Sequence, residues 1–442
     1  MQGNQTWGAL LGASLLATVV GACGARSELE LHGAGTGGST GEGGSAGEGG
    51  SGASTPTGGG GFGGELVGGG GFGGEPSGGG GSGGVGGVEQ LALGAGHSCL
   101  RTFEGKVYCW GGNNRGQLGL GDEVDRLSPV EVPLDGPAKD LAAGAFHTCA
   151  VLAEGERLYC WGHHNRGQVG IGLSASDEIL SPVEVGLAGV DDLALGEQHS
   201  CARQGETVYC WGNNASGQVG DGTQTDRVVP VVVDEALGSG GIAAGGFHSC
   251  APAANGLVRC WGANASRECG IPGMGQSTIL TPQNVPGLAN AGLEAVRSGM
   301  GRHSCGFSTA ELYCWGSNAS GQLGLGTVSP AELPQPTSLG QGVIPSDVRP
   351  GFAHTCALGE GRVYCWGDNF GGKLGVGVVA PNVPSPTVVP GLDGVVAIGA
   401  GTQHTCAYLG PTDVRCWGGN AFGQLGTGDT QPRNAPTPIV LP

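Results

Sequence analysis

His354-Thr355-Cys356-Ala357-Leu358-Gly359-Glu360-Gly361-Arg362-Val363-Tyr364-Cys365-Trp366-Gly367 is one of seven variants of a single pattern. Each copy begins at a histidine: His97, His147, His199, His248, His303, His354 or His404. A cysteine follows two residues later, and a second cysteine, followed by Trp-Gly, comes after eight to ten more. The tryptophans Trp110, Trp161, Trp211, Trp261, Trp315, Trp366 and Trp417 are 50 to 54 residues apart. A fixed period of this length means a repeat architecture, and a closed array of repeats counts as one domain.

Around this pattern each module has the same parts. An apolar run ending in Gly comes first, as in Leu141-Ala142-Ala143-Gly144. The two cysteine segments follow, then an Asn- and Gly-rich loop such as Asn113-Asn114-Arg115-Gly116-Gln117-Leu118-Gly119. A Pro-bracketed β-branched run closes the module, as in Ser181-Pro182-Val183-Glu184-Val185. Short β-prone runs between turn residues indicate strands, and no stretch has helical periodicity. Three or four strands per unit, seven times over, predict an all-β, seven-bladed β-propeller.

The motif G-x-x-H-[ST] followed by V-Y-x-W-G-x-N-x-x-G-Q-L-G resembles the RCC1 repeat, named for the regulator of chromosome condensation. The resemblance covers residues 88–442 and implies a seven-bladed ring. Two assemblies fit: one module per blade, or a phase-shifted closure with each blade built from two repeats.

The cysteines follow from strand register. A two-residue turn at Glu360-Gly361 makes Gly359 and Arg362 the first hydrogen-bonded pair. Pair types alternate, so Cys356 and Cys365 face each other at a non-hydrogen-bonded site, where Cα atoms approach to about 4.5 Å. The same spacing pairs Cys201 with Cys210 and Cys305 with Cys314. Four further pairs have one or two more residues and predict longer or bulged turns: Cys99 with Cys109, Cys149 with Cys160, Cys250 with Cys260, and Cys406 with Cys416. Zinc fits poorly, because no module has the C-x₂₋₄-C spacing and seven metals would be needed. Reduced packing thiols are the remaining alternative. Regularly paired cysteines suit an oxidising compartment.

The N-terminus agrees with export. Residues 1–22 read as a signal segment, with the apolar stretch 8–22 too short to span a bilayer comfortably. Val20-Gly21-Ala22-Cys23 resembles a bacterial lipobox, which implies cleavage before Cys23 and a lipid on its sulfur; Met1–Trp7 lacks the usual Lys or Arg. Gly24 after the cysteine implies sorting to the outer membrane, with secretion as the alternative. Residues 23–87 then form a lipidated start and a Gly/Ser-rich tether, too poor in apolar residues to fold. The near-copies GGGGFGGE at 58–65 and 68–75 place Phe62 and Phe72 in that tether.

Composition narrows the partners. The chain has 442 residues with a formal charge of −18, and only 13% are charged. That argues against nucleic acid. No residue set points to catalysis, to a metal or to a cofactor. The recurrent histidines read as buried and hydrogen-bonded to backbone near the strand starts. Cys269, which stands where other modules have Leu or Val, reads as a buried small side chain. His163-His164 and Lys373 are further departures, and three Asn-Ala-Ser sequons fall in repeat turns. The most variable segments are 122–126, 174–178, 223–227, 274–277, 327–336, 378–384 and 429–434. They are expected at one rim, where a rigid scaffold presents binding loops. The expectation is a monomeric, membrane-anchored, extracytoplasmic scaffold that recognises a protein through that rim. A surface glycan, an extracellular hydrolase or lyase site at the channel mouth, and a purely structural surface protein are the alternatives. The resemblance also covers a nucleotide exchange factor, a role that export argues against, and a secreted inhibitor of β-lactamases.

Radiolabelled palmitate is expected to label the wild-type chain and not Cys23→Ala. Equal labelling of both would remove the anchor.

Overall fold

The computed structural model describes residues 87–173, 176–234, 240–253, 255–273, 277–289, 291–377 and 380–442. The signal segment, Cys23 and the tether through residue 86 lie outside the described residues.

Within the first module the chain forms β1 (Val88–Leu93), β2 (His97–Thr102), β3 (Val107–Gly111) and β4 (Arg126–Glu131). They pair in that order as one antiparallel sheet. The same meander recurs over residues 138–185, 192–234, 243–284, 295–337, 345–388 and 397–438, giving seven four-stranded blades. Apart from a 3₁₀ turn at Phe370–Gly372, the described residues contain no helix. First strands of successive blades touch around the ring, so they line the axis and the fourth strands form the outer edge.

Every sheet is built from one uninterrupted module, which excludes the phase-shifted closure. The ring closes without a shared strand. Blade 7 meets blade 1 through the same contacts as any other neighbours, including Ser98 against His404.

The hairpin register is as the sequence predicts: Gly359 pairs with Arg362 and Cys356 with Cys365. Each of the seven disulfides stays within its own module. Three close the tightest hairpins, joining Cys201 to Cys210, Cys305 to Cys314 and Cys356 to Cys365. The other four join Cys99 to Cys109, Cys149 to Cys160, Cys250 to Cys260 and Cys406 to Cys416. Their Cα–Cα distances are all 4.1–4.2 Å.

The extra residues sit in the turns, as expected. The hairpin of Cys406 and Cys416 takes up its extra residue in a bulge near Tyr408. The hairpin of Cys99 and Cys109 uses a longer turn, closed by the Thr102 amide on the Lys106 carbonyl. That of Cys149 and Cys160 is closed likewise by the Leu152 amide on the Arg157 carbonyl, and that of Cys250 and Cys260 by the Ala253 amide on the Leu257 carbonyl.

Alternation puts the disulfide and the tryptophan on opposite faces of each blade. The Cys99–Cys109 bridge packs in one core cluster with Trp161 of blade 2, and Cys406–Cys416 with Trp110 of blade 1. Each interblade core therefore has a bridge on one wall and a fully buried indole on the other.

One expectation needs correction. The prolines do not bracket the outer strands; they sit inside them. Pro129, Pro182, Pro230, Pro282, Pro334, Pro386 and Pro436 each directly precede the residue paired with the second cysteine of their blade. A register shift follows at that point in every blade. Proline has no N–H to offer, so it is tolerated on an edge strand and there blocks pairing with another chain.

Non-reducing peptide mapping is expected to recover all seven bridges within single repeats. Replacing Cys201 and Cys210 together by Ala should lower stability by about 2–3 kcal/mol, as loss of a closed loop of about ten residues implies. A bridge between different repeats would overturn the hairpin register.

Candidate functional site

Three features of the ring are candidates for chemistry: the histidines, the loops on one face, and the departures from the repeat.

All seven repeat histidines are fully buried. Their partner is not local backbone, as the sequence suggested, but a hydroxyl on the next blade. His97 Nε2 lies 3.0 Å from Thr148 Oγ1, and that hydroxyl donates to the Gln117 carbonyl at 2.9 Å. Trp161 Nε1 donates to the same carbonyl. A hydroxyl has one proton. Since Thr148 spends its proton on the carbonyl, His97 must donate from Nε2, which fixes the tautomer. The ring then leaves Nδ1 bare, and Nδ1 has no partner in any of the seven copies.

The link recurs as His147–Ser200, His199–Ser249, His248–Ser304, His303–Thr355, His354–Thr405 and His404–Ser98. Two seams deviate. Ser304 bonds to Ser298 Oγ at 2.7 Å. Trp417 Nε1 has no acceptor at the seam where Lys373 replaces Gln. The glycine three residues before His97 is required by contact, because a Cβ on Gly94 would lie 2.1 Å from the imidazole.

These contacts make the histidines structural and neutral. Burial holds His97, His147, His199, His248 and His404 down at about 3 and His303 at about 4. His354 is likewise held well below 6.5, by burial first and then by Lys373.

The loop face is formed by the turns before each histidine and by the Asn-rich loops between third and fourth strands. Asn113 organises its loop: its Oδ1 accepts the Leu118 amide and its Nδ2 donates to Asp122. His164 replaces this asparagine in blade 2, taking the Val169 amide on Nδ1 and donating from Nε2 to the Gly172 carbonyl. His163 packs edge-on against Phe146. The histidine pair is thus accounted for by packing. Among the described residues no group of three or more His, Cys, Asp or Glu is placed to hold a metal. Cys269 is a free, buried thiol, pushed well above its ordinary pKa by burial and then by Glu268.

Most described parts of the variable segments lie on this face, but residues 329–336 instead form the outer strand of blade 5, and much of the segments' acidity is spent internally. Asp122 pairs with Arg126, Asp221 with Arg227 and Asp429 with Arg433. Arg115–Glu178 and Arg166–Asp226 tie neighbouring blades. What sequence reading missed is apolar. Phe370, Phe352 and Phe422 are 75%, 47% and 50% exposed, and they sit on the consecutive blades 6 and 7. A signal was present: Phe370 and Phe422 occupy loop positions held elsewhere by Asn or Ala and by Arg, Ser or Gly.

Comparison with known proteins agrees with this architecture. The family model for the RCC1-like domain matches residues 75–344, and that for the RCC1 repeat matches 360–408. The chain is 33% identical to the ultraviolet-B receptor UVR8 of Arabidopsis thaliana, over 78% of this chain and 80% of that one. It is 30% identical to a secretion-regulating guanine nucleotide exchange factor of Bos taurus, over 80% and 71%. Among solved structures, Prp20p of Saccharomyces cerevisiae matches with a TM-score of 0.68 at 21% identity, covering 79% of this chain and 87% of that one. Human WBSCR16 matches with a TM-score of 0.68 at 22% identity, covering 76% and 95%.

The buried histidines determine an acid limit. Their folded pKa values lie below the unfolded value, so the unfolded chain binds more protons in acid. The stability they confer is complete above about pH 6.5 and is lost as pH falls toward 3. Asp192, raised to about 6 by burial and then by Asp140, acts in the opposite sense, as do Asp140, Glu197 and Glu268, each raised by burial, but these four carboxyls oppose seven histidines. The melting temperature should be flat from about pH 7 to 8.5 and fall steeply between about pH 6 and 4. Calorimetry at fixed ionic strength checks this, and a flat profile down to pH 4 would contradict the neutral-histidine assignment.

Proposed function

Because the chain belongs to the RCC1-like family, we propose that it is a binding scaffold, holding a protein partner on the loop face of its propeller outside the cytoplasm. The observation that carries this reading is the trio of exposed phenylalanines on blades 6 and 7, fixed on a disulfide-stapled frame. Aromatic side chains on a rigid support lose little conformational freedom on binding and commonly anchor protein interfaces. The names of the sequence relatives, a receptor and an exchange factor, fit a regulatory rather than a metabolic role.

Seven intramodular disulfides and an isolated Cys23 support export and anchoring.

The full chain, immobilised and exposed to native envelope extract, should retain one stoichiometric protein. Phe352→Ala, Phe370→Ala and Phe422→Ala combined should weaken retention by about tenfold or more, as loss of interface anchors does. Retention of polysaccharide alone, or of the same partner by the triple variant, would overturn the reading.

A further inference from the structure

The turn between the second and third strands of blade 4 carries Asn255-Gly256, the one Asn-Gly step in the 442 residues. It lies at the end of the hairpin away from His248, within the loop closed by the Cys250–Cys260 bridge. Both residues are exposed. Gly256 has a φ of 75°, in the left-handed region, so the turn itself calls for glycine. A Cβ added there would meet nothing within 4 Å, so no neighbouring atom covers this residue.

The two residues are set up to react with each other. Asn255 Oδ1 accepts the Leu257 amide at 3.2 Å, the local bond that asparagine makes to the backbone two residues on. That bond holds the carboxamide over the intervening Gly256 peptide and polarises its carbonyl, which leaves Cγ electrophilic. The facing nucleophile is the Gly256 nitrogen. With no Cβ on its own residue, that nitrogen meets the least steric resistance to attack. Its N–H donates to the Ala253 carbonyl at 3.0 Å, and in an exposed turn water competes for that bond.

We propose that Asn255 is a modification site, at which the Gly256 nitrogen displaces ammonia from the side-chain amide. The Gly256 nitrogen gives up its proton to water or hydroxide as its bond to Cγ forms. The Cγ–Nδ2 bond breaks, and Nδ2 leaves as ammonia. The product is a five-membered succinimide spanning the two residues. One water then opens the ring at either carbonyl, giving aspartate or its β-linked isomer. Water is the only co-reactant, and no oxidation state changes.

Either product replaces a neutral amide by a carboxylate, and the β-linked form adds one carbon to the backbone path. The fold accommodates the charge. Blade 1 has the same turn, with the Thr102 amide on the Lys106 carbonyl and the Gly105 amide on the Thr102 carbonyl, and it carries Glu104 where blade 4 has Asn255. Gly105 likewise has a φ of 78°. In blade 4 the disulfide keeps the two strands joined whatever happens in the turn. The loop face lies at the other end of the hairpin, so this proposal and the binding proposal fail separately.

Peptide mapping of the full chain, kept folded at neutral and at mildly alkaline pH, tests it. The peptide containing Asn255 should gain an acid group and split into two products, one of them β-linked, faster at the higher pH. Asn114 and Asn165, exposed asparagines followed by arginine, should convert at least about tenfold more slowly, because a Cβ crowds the attacking nitrogen. Asn255→Asp, which mimics one product, should melt with the wild type. Conversion of Asn255 no faster than that of Asn114 and Asn165, conversion only in the denatured chain, a rate independent of pH, or an unfolded Asn255→Asp would each overturn the assignment.

Discussion

One directional hydrogen-bond chain ties each blade to the next, and the ring depends on it. A neutral imidazole donates from Nε2 to a Ser or Thr hydroxyl on the following blade. In six of the seven seams that hydroxyl donates onward to the carbonyl of the Gln-position residue in the blade before it. The indole of the next blade shares that carbonyl in five of these seams, and in the seam of Glu268 the indole of Trp315 takes the carbonyl alone. All these groups are buried, so each needs its partner: a stranded donor or acceptor costs about 1–3 kcal/mol. The chain accounts for the coupling of His, Ser/Thr and Trp in the repeat, while the Gln position contributes its main-chain carbonyl and uses its side chain to accept the amide two residues earlier. It also closes the circle, because the last link runs from His404 to Ser98, 306 residues away in sequence.

The disulfides act at a different level. Each staples its own hairpin, so it stiffens a blade without choosing the blade's neighbours. Its exposed chemistry is nil, because every bridge is buried against a tryptophan of the next blade. Hairpin bridges and interblade hydrogen bonds thus divide the work, one fixing the unit and the other the assembly. The outer edge is protected separately, by a proline in each fourth strand.

Such a frame tolerates substitution where the hydrogen-bond chain is not involved. Lys373 replaces the usual Gln and buries its ammonium against Asp368; its carbonyl still accepts from Thr405, while Trp417 Nε1 in the same seam has no acceptor. The loop tips, which carry Phe370 and Phe422, lie outside that chain and differ between blades.

The sequence by itself determined the blade. Period, strand count, hairpin register and the pairing of all fourteen repeat cysteines follow from local spacing, because strand alternation and turn length are short-range rules. Tertiary structure decided what crosses from one blade to another. The histidine's partner is a hydroxyl about 50 residues ahead, and one module makes one blade. Neither can be read within a single module, since each repeat contains both halves of every interblade contact and spacing cannot say which copies meet. The same holds for the functional candidates. Phe352, Phe370 and Phe422 are ordinary loop residues until the ring puts them on one face.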